Sequence, residues 1–373
     1  MATSPNMPAP ADLAPADLDD DDKTLMASPV SWSAETVKAL HKIVYEETSR
    51  TMIVPQVLPH FVLPPKTTTV PLNLVNPQYL DPVPAGGGTP ANPVVMALTI
   101  DEGQAVRVYE LWTEIALTDQ QVNEVAKATN PEGTSMAVAT RIGAQYHAQA
   151  HDYVAFQGAL AYSNPDTFFS NYVGYRAGQI PLDGGLFGGS ITPGSNPPYT
   201  SFPGGKGGAN PYAYTTPPQV VPPLTGGPAG VVWGDNMLEP ISELLNTMSA
   251  GGNSGPFGLF VPPDVRADMS APAGNQSLAI TYDRVAPQFE LGVHTTRGLP
   301  TVTTGGVTYY SGVIVSVGGN AVSLGVGQHA RLRHMQRDPQ GWHRFRIVGR
   351  HVLLVSDLGA VGQLVFQGAP PIP

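Results

Sequence analysis

At 373 residues the chain can form one large domain or two to three smaller ones, and the absence of cysteine excludes disulfides and thiolate metal sites. Its formal charge is −10, yet charged residues make up only 13% of the sequence, about half the usual share. Low charge at ordinary hydrophobicity argues against a lone monomer and for a surface covered by other copies of the same chain.

Residues 1–31 read as a flexible arm rich in Ala, Pro and Asp, with no apolar stretch of the kind a signal peptide needs. No window approaches the roughly 18 apolar residues of a membrane span, so the expectation is a soluble protein made inside the cell. The run Asp19–Asp22 followed by Lys23 has the form of a protease tag; a solvated acidic arm is the simpler reading.

"SWSAETVKALHKIVYEETSR" then predicts an amphipathic helix within 32–52. Ser33 is the N-cap, Glu35 lies in the first turn, and Val37, Leu40 and Val44 share one face. From 53 to 118 short β-like runs broken by prolines lead through "PVPAGGGTPANP" to the alternating "VVMALTIDEGQAVRVYELWTEIAL". This pattern predicts a long two-stranded excursion with a glycine tip. A hairpin without a core of its own is marginal in water and needs a neighbouring surface.

Residues 119–162 contain the clearest helix, with a stripe of Met136, Ala139, Ile142, Tyr146, Tyr153 and Phe156 and no break before Gly158. The tract 163–232 is rich in Gly, Pro and Tyr, shows no periodicity, and is expected to lie on an exposed face. Leu238, Ile241, Leu244, Leu245 and Met248 predict a further helix, with Pro240 in its first turn and Gly251 and Gly252 ending it. From Ala279 onward the chain reads mostly as strands, so the class is α+β.

Few groups suggest chemistry. His147 and His151 have the i, i+4 spacing of two zinc ligands, but Ala148 replaces the glutamate of H-E-x-x-H and no third ligand is evident. "GVGQHA" offers Gly325, Gly327 and Ala330 as a loose dinucleotide pattern, but the next residues alternate like a strand where a helix should open. No nucleophile elbow, P-loop or local carboxylate pair is present. No catalytic residue, cofactor or metal is assigned, and no enzyme activity is expected.

The charge itself is concentrated. "RLRHMQRDPQGWHRFRIVGRH", residues 331–351, carries six arginines against Asp338 alone. Asp338, Pro339 and Gly341 fit a type I turn, and Arg331, Arg333, Arg344 and Arg346 alternate with Leu332 and Phe345. The prediction is a hairpin with a cationic face over an apolar one. Nucleic acid could occupy that face, but a reader of nucleic acid usually interleaves aromatic platforms in a basic domain. Ion pairing with another subunit is the preferred reading.

Several stretches together resemble encapsulin shell proteins and the tailed-phage major capsid proteins that share the Hong Kong 97 phage-type capsid fold. "GVIVSVGGNAVSLGVGQHARLRHMQRDPQGWHRFRIVGRHVLLVSDLGAVGQL" is similar to the family's C-terminal segment. Gly327 and Gln328 there fit a G-Q-D-like turn, with His329 in place of the acid. "LEPISELLNTMSAGGNSGPFGLFVPPDVRADM" resembles its helix and following strand, while "VRVYELWTEIALTD" and the 133–160 helix resemble its extended-loop strand and spine helix. The resemblance implies an N-terminal arm (1–31), an N-terminal helix (32–52), an extended loop (53–118) and the spine helix of a peripheral domain (119–162). It further implies an insertion (163–232), an axial domain (233–325) and return strands of the peripheral domain with a tail (326–373).

The implied function is a structural subunit of an icosahedral shell, namely a phage or prophage capsid enclosing DNA, assembled in the bacterial cytoplasm. A cytoplasmic nanocompartment enclosing a protein cargo is the alternative. The partners are then many copies of the chain plus its cargo, without a membrane. A soluble enzyme or binding module using 163–231 as a lid is the competing class, and the missing site speaks against it. Phage relatives sometimes cross-link lysine to asparagine, but Lys66 has no partner motif and no cross-link is expected. The inter-subunit contacts expected here join Arg344 and Arg346, aided by Arg331 and Arg333, to carboxylates of a neighbour: Asp101, Glu102, Glu110 or Glu114.

Overall fold

A computed structural model describes residues 32–64, 66–79, 96–128, 130–158, 174–175, 185–186, 216, 218–224, 231–274, 277–304, 306–337 and 340–368. The N-terminal arm, the glycine tip of the extended loop, most of the tract 163–232 and the first two residues of the predicted arginine turn lie outside them.

Helix α1 (Ala34–Thr51) starts where Ser33 accepts a hydrogen bond from the Thr36 amide at 3.1 Å, as the sequence predicts. It leads through a single turn, α2 (Val54–Val57), to β1 (His60–Val62) and then to β2 (Thr69–Tyr79) and β3 (Met96–Arg107). β2 and β3 form a two-stranded antiparallel ribbon that pairs with no other strand among the described residues. Next come β4 (Tyr109–Thr118), α3 (Asp119–Lys127) and α4 (Ser135–Gln157). α3 opens with a capping box between Thr118 and Gln121, and α4 ends at Gly158 with φ 53°.

Short strands β5 (Gly174–Tyr175) and β6 (Gln219–Val221) precede α5 (Leu238–Ala250), β7 (Phe257–Val261) and α6 (Pro263–Ser270). A small ribbon, β8 (Pro272–Gly274) with β9 (Ser277–Ile280), leads to α7 (Thr281–Val285). The chain finishes with β10 (Val293–Thr295), β11 (Thr301–Thr304), β12 (Val307–Ser316), β13 (Val322–Arg337), β14 (Trp342–Val355) and β15 (Val361–Gln367).

Two sheets organise these elements. The first has strand order β1-β13-β14-β4-β5, and the second β10-β7-β12-β15-β6 with β11 on β12. α4 lies against β4 and β14, and α1 lies against α4 and β13. Val37, Leu40, Ile43 and Val44 of α1 share one apolar cluster with Met136, Leu332, Phe345 and Ile347. Trp32 seals its end by stacking on Phe345 at 5.5 Å. α5 covers β15 and β6 through Ile241, Leu244 and Met248. A third cluster, including Val57, Phe156, Phe260, Val315, Leu324 and Val352, joins the two sheets.

Several readings change. The stripe expected on α4 holds in part: Met136 and Phe156 are buried, but Ile142 is 45% exposed, whereas Thr140, Gly143, Ala144, His147, Ala148 and His151, outside the stripe, are buried. The helix approaches the sheet so closely that a Cβ on Gly143 would sit 2.7 Å from Ile115, so small residues mark the contact where large ones were expected. Gly327 and Gln328 form no turn; they lie within β13 at register shifts against β14. β15 returns to the second sheet beside β12, and residue 325 falls inside β13, so the chain crosses between the sheets after β12 and again after β14. The described parts of 163–232 are not all surface, although Pro222 is exposed. Leu186 is fully buried and Val221 is fully buried in the edge strand β6.

Candidate assembly surface

Side chains alternate along β14, so one set of residues meets the helices and the other set faces away. Phe345 and Ile347 are fully buried under α1 and α4. Trp342, Arg344, Arg346 and Arg350 point the opposite way, as do Glu110, Trp112 and Glu114 on β4, and Arg331 and Arg333 on β13. The predicted cationic face over an apolar one is therefore present.

The register explains the pairs on that face. Arg346 lies directly opposite Glu114, and its Nε and Nη2 approach Glu114 Oε1 at 2.7 and 2.6 Å. Arg344 Nη1 lies 3.8 Å from Oε2 of the same carboxylate. Arg350 is opposite Glu110, with 3.7 Å between Nε and Oε2, and its Nη2 donates to the Thr67 carbonyl at 2.5 Å. The Arg346 guanidinium also lies 5.0 Å from the centre of the Trp112 ring. On its other side Arg346 faces Arg333 across the β13–β14 register, a like-charge pairing that costs stability within the sheet.

Glu110 and Glu114 thus meet arginines of the same chain. Asp101 and Glu102 sit in β3 of the two-stranded ribbon; their side chains lie outside the described residues. Near the hairpin end, Asp119 in the first turn of α3 pairs with Arg337 and accepts from His343 Nε2 at 2.6 Å. The His343 contact, the largest influence, and the Arg337 guanidinium hold the Asp119 carboxyl below its ordinary range, against a smaller opposing effect of burial. Sequence reasoning missed Asp119 and Trp112, because strand register alone reveals which residue of β4 or α3 meets which arginine.

Five arginines consequently share this face with two glutamates among the described residues. Met335 and Trp342, 45% and 41% exposed, add apolar surface near the hairpin end. Arg, Trp and Met are the residue types enriched at protein–protein contacts. Trp112 also supplies one of the aromatic platforms that a nucleic-acid surface would use.

The other candidate groups lie inside the fold. His147 and His151 are buried between α4 and β14, and no group of three or more His, Cys, Asp or Glu residues able to hold a metal occurs among the described residues. Asp152, fully buried, accepts the amides of Ile53 at 3.0 Å and Val54 at 3.2 Å and so ties α4 to the α1–α2 link. It borders a cleft of about 240 Å³ with Thr51, Tyr153 and Arg297. Asp268 similarly accepts three amides, of Val232, Trp233 and Gly234, at 2.5 to 3.1 Å. No described helix is long and apolar enough to cross a membrane.

Neither a family model nor a curated protein matches the sequence. Solved structures do. A virus-like particle from Pyrococcus furiosus aligns at TM-score 0.53 and 10% identity, covering 88% of this chain and 99% of that one. The capsid of an empty GTA particle aligns at TM-score 0.49 and 12% identity, covering 85% and 96%. The capsid of the Myoviridae phage XM1 gives TM-score 0.49 and 12% identity, covering 85% and 92%. The chain has the Hong Kong 97-type capsid fold.

Proposed function

We propose that this chain is a structural subunit that self-assembles into an icosahedral shell, as the major capsid protein of a tailed phage or prophage enclosing DNA. The observation that carries the reading is the fold, shared with the shell protein of a virus-like particle across 99% of that chain. Two further features support it. The β2–β3 ribbon has strands of 11 and 12 residues, on the order of 35 Å long, and pairs with nothing else in the described subunit. A ribbon of that kind gains stability when it lies on a neighbour. The outer face of the first sheet gathers arginines in a chain of net charge −10, a cationic surface complementary to a neighbour that presents carboxylates.

In this reading Arg331, Arg333, Arg344 and Arg346 form the seat for a neighbouring subunit, and Asp101 and Glu102 on its extended ribbon are the acids offered to it. Glu114 and Glu110 orient the seat from within. Arg–carboxylate pairs are geometrically specific, so repeated copies of one such contact help to define a closed assembly. Light scattering on the purified chain at micromolar concentration and native salt tests the proposal. Particles of many subunits are expected, and a monodisperse monomer or dimer overturns it. Nuclease-protected DNA inside the particles separates a capsid from a nanocompartment, which would hold protein.

A further inference from the structure

Three histidines meet where α4 lies on the first sheet. His147 and His151, one turn apart on α4, touch Nε2 to Nε2 at 3.0 Å. The ring of His351, from β14, lies 4.2 Å from that of His151. All three side chains are at most 4% exposed. Gly349 makes the space for them, since a Cβ there would stand 2.7 Å from His147 Nε2 and 2.9 Å from His151 Nε2. The Nδ1 atom of each ring is buried without a hydrogen-bond partner. Histidines kept for packing alone normally have their ring nitrogens satisfied.

We propose that this triad is an acid-sensitive latch: neutral, it lets α4 lie on β14, and protonated, it lifts the helix from the sheet. The chemistry follows from the contact. The Nε2–Nε2 approach requires at least one unprotonated nitrogen, so a second proton puts two N–H groups face to face at 3.0 Å. Among the described residues no counter-charge is aimed at the rings. From β4, Tyr109 packs against His151 at 5.6 Å and His351 at 6.4 Å. From β13, His329 adds to the positive side, with Arg331 and, from β1, His60 beside it and Tyr45 of α1 on its edge. Arg350, next to His351, faces Glu110 on the other side of the sheet. A nearby carboxylate, Asp152, is turned to the Ile53 and Val54 amides.

Burial pushes His147 and His351 down to about 3, and His151 well below its ordinary value, with the neighbouring imidazoles adding to the effect on His151 and His351. A depressed histidine leaves stability untouched above the unfolded value near 6.5 and reduces it as pH falls below that value. At pH 5 each ring released from burial favours the open state by roughly 30-fold, on the order of 10⁴ for three. Asp152 acts oppositely. Burial raises it to about 7, so its protonation stabilises the closed state over the same range and offsets roughly 10² of that factor.

Amide hydrogen exchange on the full chain at pH 7.5 and pH 5, corrected for intrinsic rates, tests the latch. Amides of α4 and β14 should lose on the order of 10²-fold protection at pH 5, while those of β7 and β12 in the second sheet keep theirs. Loss spread evenly over both sheets, or no loss, overturns the proposal. His151→Gln should reduce the acid-induced change in α4 by roughly 30-fold; if that variant does not fold at pH 7.5, His147→Gln or His351→Gln gives the same reading. An unchanged pH response in the variants also overturns it.

Discussion

Replacing both Arg344 and Arg346 by Gln separates the subunit's own stability from its assembly. Within the subunit the loss is small. Arg346 and Glu114 are 32% and 38% exposed and Arg344 is 48% exposed, so solvent screens their pairing to about 0.2–1 kcal/mol each. The Arg346–Trp112 contact contributes about 0.5–1 kcal/mol more. Relief of the Arg333–Arg346 opposition returns a few tenths. The net cost, about 1–2 kcal/mol, is modest against the roughly 5–15 kcal/mol of an ordinary domain. At a subunit contact the same groups are desolvated, and removing one partner of a buried pair costs on the order of 3–5 kcal/mol. Thermal melts by circular dichroism should therefore stay close to the parent while light scattering shows shell yield lost. Normal shells that retain less nucleic acid and show a shallower salt dependence would refute the reasoning and assign the face to nucleic acid instead.

Three further outcomes follow from single side chains. Asp268→Ala strands the Val232, Trp233 and Gly234 amides and should cost about 3–5 kcal/mol in urea unfolding; under 1 kcal/mol would contradict the anchor. Leu186→Ala should cost about 2–5 kcal/mol because the side chain is fully buried, whereas an exposed insertion would give almost no change. For the same reason, replacing 178–229 wholesale by a linker removes Leu186 and β6 and should destabilise the subunit. Gly349→Ala drives a methyl group into His147 and His151 and should lower stability by about 1–3 kcal/mol, seen as a reduced melting temperature at pH 7.5; an unchanged melting temperature would mean the seam is loosely packed.

Local signals carried much of the architecture. The Ser33 cap, the α5 stripe, the two-stranded ribbon and the alternation of arginine with Leu332 and Phe345 are all short-range patterns, and each is present in the fold. What the sequence left hidden depends on long-range register. Glu114 meets Arg346, and His351 meets His151, across separations that no spacing rule covers. The α4 stripe located Met136 and Phe156 but missed the middle of the contact, because close helix–sheet approach selects Gly143, Ala144 and Ala148, which a search for large apolar side chains passes over. Leu186 and Val221 sit in a tract whose composition reads as loop, although each fills a core position.

An image reconstruction of the assembled particle shows directly what covers the arginine face. The expected result is a closed shell in which the arginine face of β13, β14 and β4 is covered by the extended ribbon of an adjacent subunit, with Arg344 or Arg346 within salt-bridge distance of Asp101 or Glu102. A shell in which that face lies open to solvent or against packaged nucleic acid would contradict it, as would a preparation that yields no shells at all.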